Sequence, residues 1–193
     1  MNAHGYALLS QEAYSAKPDI GDPNSASRAI VRQTAGGLVI AFPGTDNADC
    51  VGADIDIGPT VVPGIGKVHR GFWQAWQAIS TPVLAAIAGQ PVTLVGHSLG
   101  AAIAVMAAAS MTVSGNPPVA VFGFEPPRAS PDLGLRALLA KVPLHLYWNG
   151  LDLVPSLPLD WQHAGMLTHI GKPAMPFPNV TDHAISRVIA ALA

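Results

Sequence analysis

Apolar runs too short to be helices, alternating with stretches of helical period, constrain this chain more than any other feature. Pro91–Val95 is apolar except for Thr93, and Val119–Phe124 and Leu144–Trp148 are runs of the same kind. Strands of a parallel sheet buried on both faces read this way. Between them lie the alanine-rich stretch Leu99–Met111 and the segment Leu133–Ala140, both expected to be helices. Met166–Ile170 is expected to be a last strand and His183–Leu192 a closing helix. The alternation predicts an α/β architecture with a mostly parallel central sheet flanked by helices.

Upstream, Tyr6, Leu9, Ala13 and Tyr14 recur at helical spacing within Gly5–Ser15, and Phe72, Trp76, Ile79 and Val83 do so within Phe72–Ala88. Ala29–Arg32 and Leu38–Phe42 read as strands around the turn Ala35-Gly36-Gly37. Pro18 to Asn24 reads as a loop. Asn47 to Gly66, with six glycines and prolines and no sustained period, reads as a long irregular segment. At 193 residues the chain suits one domain, 1–193, with one sizeable core.

Charge helps mainly by exclusion. Ten basic and twelve acidic residues give a net charge of -2, which offers no electrostatic footprint for nucleic acid or an anionic membrane surface. The longest apolar runs, around Ala101–Ala109 and Ile185–Ala193, fall short of the ~20 residues a spanning helix needs. No integral membrane segment is therefore expected. The N-terminal residues lack the pattern of a secretory signal, which a processed chain would lack equally, so the compartment stays open. Cys50 is the single cysteine, so no intrachain disulfide and no thiolate metal cluster is expected. No H-E-x-x-H or clustered His/Asp spacing is present either, so neither a metal nor an organic cofactor is expected.

The sharpest motif is Gly96-His97-Ser98-Leu99-Gly100, of the form G-x-S-x-G. Its context gives it weight, because a buried strand ends at Val95 and an alanine-rich helix begins near Leu99. That is the strand–turn–helix setting of a nucleophile elbow. The glycines are needed because neighbours with side chains would collide on so tight a turn. The turn exposes the Ser98 hydroxyl and puts the Leu99 amide at a helix N-terminus, where it can donate to a developing oxyanion. A serine nucleophile needs a base, and the base needs an orienting acid, in the chain order Ser, Asp or Glu, His. The acids after Ser98 are Glu125, Asp132, Asp152, Asp160 and Asp182, and the histidines are His145, His163, His169 and His183. Asp152 stands just past a buried strand and His183 on a loop before the final helix, which favours these two. His145 is expected to pack within its strand, and His97 faces the wrong way for a base.

Several segments together resemble the class 3 lipases, the fungal-lipase-like branch of the α/β-hydrolases. Ala41-Phe42-Pro43-Gly44-Thr45 resembles F-R-G-[ST], Val68-His69-Arg70-Gly71-Phe72 resembles V-H-x-G-F, and Gly96–Gly100 is similar to G-H-S-[LM]-G. Gly123-Phe124-Glu125-Pro126-Pro127-Arg128 is a looser version of G-x-P-R with two additional residues. Asn149 to Pro158 is similar to N-x-x-D-x-V-P-x-L-P, His163-Ala164-Gly165 to the H-x-G that follows, and Asp182-His183 to the segment supplying the histidine. The resemblance implies an α/β-hydrolase fold, a triad of Ser98, Asp152 and His183, and Thr45 beside Leu99 as the second oxyanion residue. It implies an esterase or lipase acting on carboxylic esters, with a small-molecule ester or lipid as partner. An acyltransferase, thioesterase or phospholipase would use the same triad, and a catalytically silent binding module is the alternative of another class.

Two departures accompany the resemblance. Pro43 stands where the family has Arg. The lid that follows F-R-G-[ST] corresponds to Asp46–Asp56, within a lid-like segment at about 46–57. It carries Asp46, Asp49, Asp54 and Asp56 but only Val51 and Ile55 as sizeable aliphatics. A lid that docks on lipid needs a broad apolar face. Short or medium acyl chains are therefore the expected substrates.

Overall fold

Period-two burial in the strands decides which helix covers which face. In the third strand, Leu38, Ile40 and Phe42 join one hydrophobic cluster while Val39 and Ala41 join another. Alternate side chains of a strand point to opposite faces, so the sheet has apolar matter on both sides. The computed structural model describes residues 1–45 and 58–193. Among these, seven strands make the central sheet, in the order β1-β2-β3-β6-β7-β8-β9. They are β1 (Ile20–Gly21), β2 (Arg28–Thr34), β3 (Gly37–Phe42), β6 (Val92–His97), β7 (Ala120–Phe124), β8 (Leu144–Asn149) and β9 (Leu167–Ile170). β1, β2 and β3 pair antiparallel, and every pairing from β3 to β9 is parallel. The fold is that of an α/β-hydrolase.

One face is covered by α2 (Arg70–Ile87), α3 (Leu99–Val113) and α4 (Gly134–Leu138). The other is covered by α1 (Ala3–Ser15) and α5 (Ile185–Leu192). α2 turns Phe72, Trp76, Ile79, Val83 and Ile87 inward, three or four residues apart, as a helix with one apolar stripe does. α3 is buried nearly all round, and its small alanines let it lie close against β3, β6 and β7.

Three expectations need correction. The described end of the segment read as irregular forms a two-stranded antiparallel hairpin, β4 (Pro59–Val62) and β5 (Gly66–His69). The run Thr60-Val61-Val62 is β-branched throughout, and that outweighs its flanking prolines and glycines. The loop read from Pro18 to Asn24 contains β1, which pairs with β2 through Ile20 and Ala29. β8 is only partly buried, and its His145 is exposed, stacked on Phe122 with ring centroids 4.4 Å apart. The lid-like segment at about 46–57 lies outside the described residues.

Candidate active site

The carboxyl ends of the parallel strands collect the chemistry, as in open α/β sheets generally. β3 leads to Gly44 and Thr45, β6 to Ser98, β7 to Glu125, β8 to Asp152, and β9 to the turn that holds His183. Ser98 occupies the step from β6 to α3 with φ 56° and ψ -125°, a strained backbone for a residue with a side chain. Its amide donates to the Phe124 carbonyl at 2.9 Å, which pins the turn to β7. The glycines around it are sterically required. A Cβ on Gly96 would strike the backbone of Gly100 and Ala101, and one on Gly100 would strike the backbone of Phe42 and Pro43. A Cβ on Gly44 would come 3.0 Å from the Ser98 Cβ and crowd the Tyr14 hydroxyl. The segment Gly44-Thr45 therefore packs directly against the serine.

Ser98 donates its hydroxyl to His183 Nε2 at 2.8 Å, and His183 Nδ1–H donates to Asp152 Oδ2 at 2.6 Å. All three side chains are buried. The second oxygen of Asp152, Oδ1, accepts from the Val154 amide at 3.1 Å. The acid is thus held at both oxygens. His183 belongs to a 3₁₀ turn, Thr181–His183, one residue before α5.

The turn itself is anchored by Asp182. Its carboxylate accepts from the Leu151 amide at 2.9 Å, the Asn179 side chain at 3.0 Å, the Ala174 amide at 3.0 Å and Arg187 Nε at 3.1 Å. Burial alone would raise this acid, but the donors and the Arg187 charge hold it below the usual carboxylate range. Asp182 therefore ties the histidine turn to the residue beside Asp152.

His97, set aside as a base, braces the site from behind. Its Nε2–H donates to the His183 carbonyl at 2.8 Å, which fixes the tautomer, so its Nδ1 accepts from the Tyr14 hydroxyl at 2.6 Å. Burial first, and then the neighbouring His183, push its pKa well below the ordinary imidazole value. It stays neutral. The other histidines stand apart, with His163 Nε2–H bound to the Pro155 carbonyl and His169 Nε2–H to the Gly150 carbonyl.

The two oxyanion candidates are Leu99 and Thr45. Leu99 is the first residue of α3, with its amide in the unpaired first turn of the helix. The Thr45 hydroxyl is buried and has no partner among the described residues. One further acid from the same set stands close to the triad. Glu125 is completely buried, has φ 52°, and its Oε1 accepts from the Asn149 amide at 2.6 Å. Among the described residues, Glu125, Asp152 and His183 are the His, Cys, Asp or Glu side chains close enough to share an ion. Both nitrogens of His183 are already engaged, by Asp152 and Ser98, so the cluster is built for proton transfer rather than ligation.

Comparison with known proteins places the chain in a family and a fold. The sequence pattern of the lipase (class 3) family matches residues 39–161. A secreted mono- and diacylglycerol lipase A of Penicillium cyclopium is 27% identical over 146 residues, 70% of this chain and 48% of the relative. The chain thus spans about half the length of that relative. The structure of a Rhizomucor miehei triacylglyceride lipase is similar with a TM-score of 0.80 at 20% identity, covering 94% of this chain and 91% of that one. A Rhizomucor miehei lipase in a propeptide complex gives a TM-score of 0.78 at 21% identity, covering 96% of this chain and 79% of that one.

Proposed function

This chain belongs to the class 3 lipase family, and on that premise we propose that it hydrolyses carboxylic esters through an acyl-enzyme on Ser98. The substrates are short- to medium-chain acyl esters, acylglycerols among them. The observation that carries the reading is the pair of buried hydrogen bonds joining Ser98 to His183 and His183 to Asp152.

In this mechanism His183 Nε2 takes the Ser98 proton as Oγ attacks the ester carbonyl. Asp152 holds the imidazole in the tautomer with Nδ1–H and stabilises the imidazolium that forms. The Leu99 and Thr45 amides, with the Thr45 hydroxyl, receive the charge on the carbonyl oxygen; one such donor contributes about 3 kcal/mol to the transition state in hydrolases of this kind. His183 then gives the proton to the leaving alcohol, which departs. Water, deprotonated by the same imidazole, attacks the acyl-enzyme and releases the acid.

The surroundings suit an apolar acyl chain. Leu153, Phe177 and Val180 are exposed on the two segments that carry Asp152 and His183. These segments are joined by bonds from the Leu153 amide to the Asn179 carbonyl and from the Asn179 amide to the Leu151 carbonyl. The four aspartates in the sequence Asp46–Asp56 are the reason short and medium chains are preferred to bulk oil in this reading, since charge is costly to desolvate. Among the described residues no helix is long and apolar enough to cross a membrane.

The test is turnover of p-nitrophenyl butyrate, tributyrin and triolein by the wild type and by Ser98→Ala. The wild type should hydrolyse the first two, with tributyrin faster than triolein at equal interface. Ser98→Ala should lose activity by about a thousandfold or more while keeping its circular dichroism spectrum. A folded Ser98→Ala variant with near wild-type turnover rules the mechanism out.

A further inference from the structure

Glu125 is a buried acid for which the acyl-transfer scheme has no use, and the inference drawn from it rests on that scheme. It follows β7 directly, and β7 lies between the strand that ends at Ser98 and the strand that leads to Asp152. Its Oε2 is buried and receives no donor from any described residue. One carboxylate oxygen of Glu125, one of Asp152 and one ring nitrogen of His183 all lie within 4.8 Å of one another.

The charges around this pair do not balance two carboxylates. Asp152 has His183 as its ion-pair partner among the described residues, while Arg187 is bound to Asp182 on the neighbouring turn. Asp182 adds a further negative charge facing Glu125. Two buried carboxylates so close, without a permanent cation between them, cannot both remain ionised. Glu125 is the one that keeps its proton. Burial first, then hydrogen bonding to Asp152 and the charge of Asp152, raise it to about 11 against the opposing pull of the Asn149 amide. Asp152, by contrast, already accepts two N–H donors, from His183 and Val154.

We propose that Glu125 is a positioning residue of this site: as a neutral acid it donates its O–H to Asp152 and holds that carboxylate in the orientation that receives His183 Nδ1–H. Asn149 fixes the other end of the Glu125 carboxyl through its amide. Glu125 keeps this place with a left-handed backbone, φ 52°, at a conformational cost that glycine would not bear. Glu125 exchanges no proton during turnover. Its contribution is to keep a buried carboxylate ionised and still, where an apolar neighbour would leave it short of donors.

Glu125→Gln and Glu125→Ala separate this role from simple packing. Glutamine keeps the shape, the neutrality and a donor, so kcat should stay within about threefold of wild type. The acid limb of its kcat/KM profile should stay within about 0.3 pH unit. Alanine removes the donor, and kcat should fall about tenfold or more with KM little changed. Infrared difference spectra of wild type against Glu125→Gln at pH 8 should show the carbonyl stretch of an un-ionised carboxylic acid. Absence of that band, a downward shift of the acid limb in Glu125→Gln, or wild-type kcat in Glu125→Ala would each overturn the proposal. Where Glu125→Ala fails to fold, the band and the Glu125→Gln limb decide. The infrared arm needs no turnover, so an inactive wild type that shows the band counts against the hydrolase reading and for the Glu125 pairing.

Discussion

Tyr14 and His97 are 83 positions apart, yet their 2.6 Å hydrogen bond is one of the contacts on which the catalytic turn rests. Tyr14 donates to His97, His97 donates to the His183 carbonyl, and the imidazole of that same residue faces Ser98. Removing the phenol hydroxyl leaves a buried ring nitrogen without its donor, which typically costs about 1–3 kcal/mol. Tyr14→Phe should therefore melt earlier in urea by about that amount. It should also lose kcat/KM several-fold, because the backbone of His183 is braced less firmly. A variant as stable and as active as the wild type would show that the brace does not matter. Nothing in the sequence points to this link. His97 was legible only as a neighbour of the nucleophile, and nothing in α1 marks Tyr14 as a partner for it.

At the scale of elements, the decisive contact is the crossing of α3 over the end of β3. A methyl group on Gly100 would meet the carbonyl oxygens of Phe42 and Pro43, which are backbone atoms and cannot rotate away. Gly100→Ala should cost about 3 kcal/mol, the upper part of the overpacking range. It should also depress kcat, because the same shift separates the Leu99 amide from Thr45. Chemical denaturation with parallel ester assays checks both effects, and an unchanged midpoint would contradict the close approach. Elements with strong period were readable in advance: the apolar strands Val92–His97 and Ala120–Phe124, the one-sided stripe of α2, and the alanine-rich α3. The hairpin Pro59–His69 was not, because its prolines and glycines are turn signals and its partner strand is only four residues long. The order Ser98, Asp152, His183 was legible from motifs. The carboxyl of Glu125 beside Asp152 was not, since it depends on β7 and β8 being neighbours and on their register, which no local pattern encodes.

For the molecule as a whole, the buried acids set opposite pH dependences. Glu125 is raised to about 11, so its contribution is complete below the ordinary glutamate range and is lost as pH rises toward 11. Asp182 is depressed, so its contribution is present above the ordinary aspartate range and is lost as pH falls through its lowered value. Of these two acids, Glu125 is the one that acts between pH 5 and pH 8, at up to about 1.4 kcal/mol per pH unit. Glu125→Gln, which has no proton to lose, should gain stability relative to the wild type across that window. Denaturation midpoints measured at pH 5 and pH 8 check the sign, and a difference that does not grow with pH contradicts it. The proposed mechanism requires that one hydroxyl of this chain, that of Ser98, be activated above the rest. The direct measurement is the intact mass after treatment with a p-nitrophenyl alkylphosphonate, followed by peptide mapping. The wild type should carry a single adduct on Ser98 and Ser98→Ala none, whereas no adduct on the folded wild type, or equal labelling of Ser98→Ala, would contradict the Ser98 mechanism.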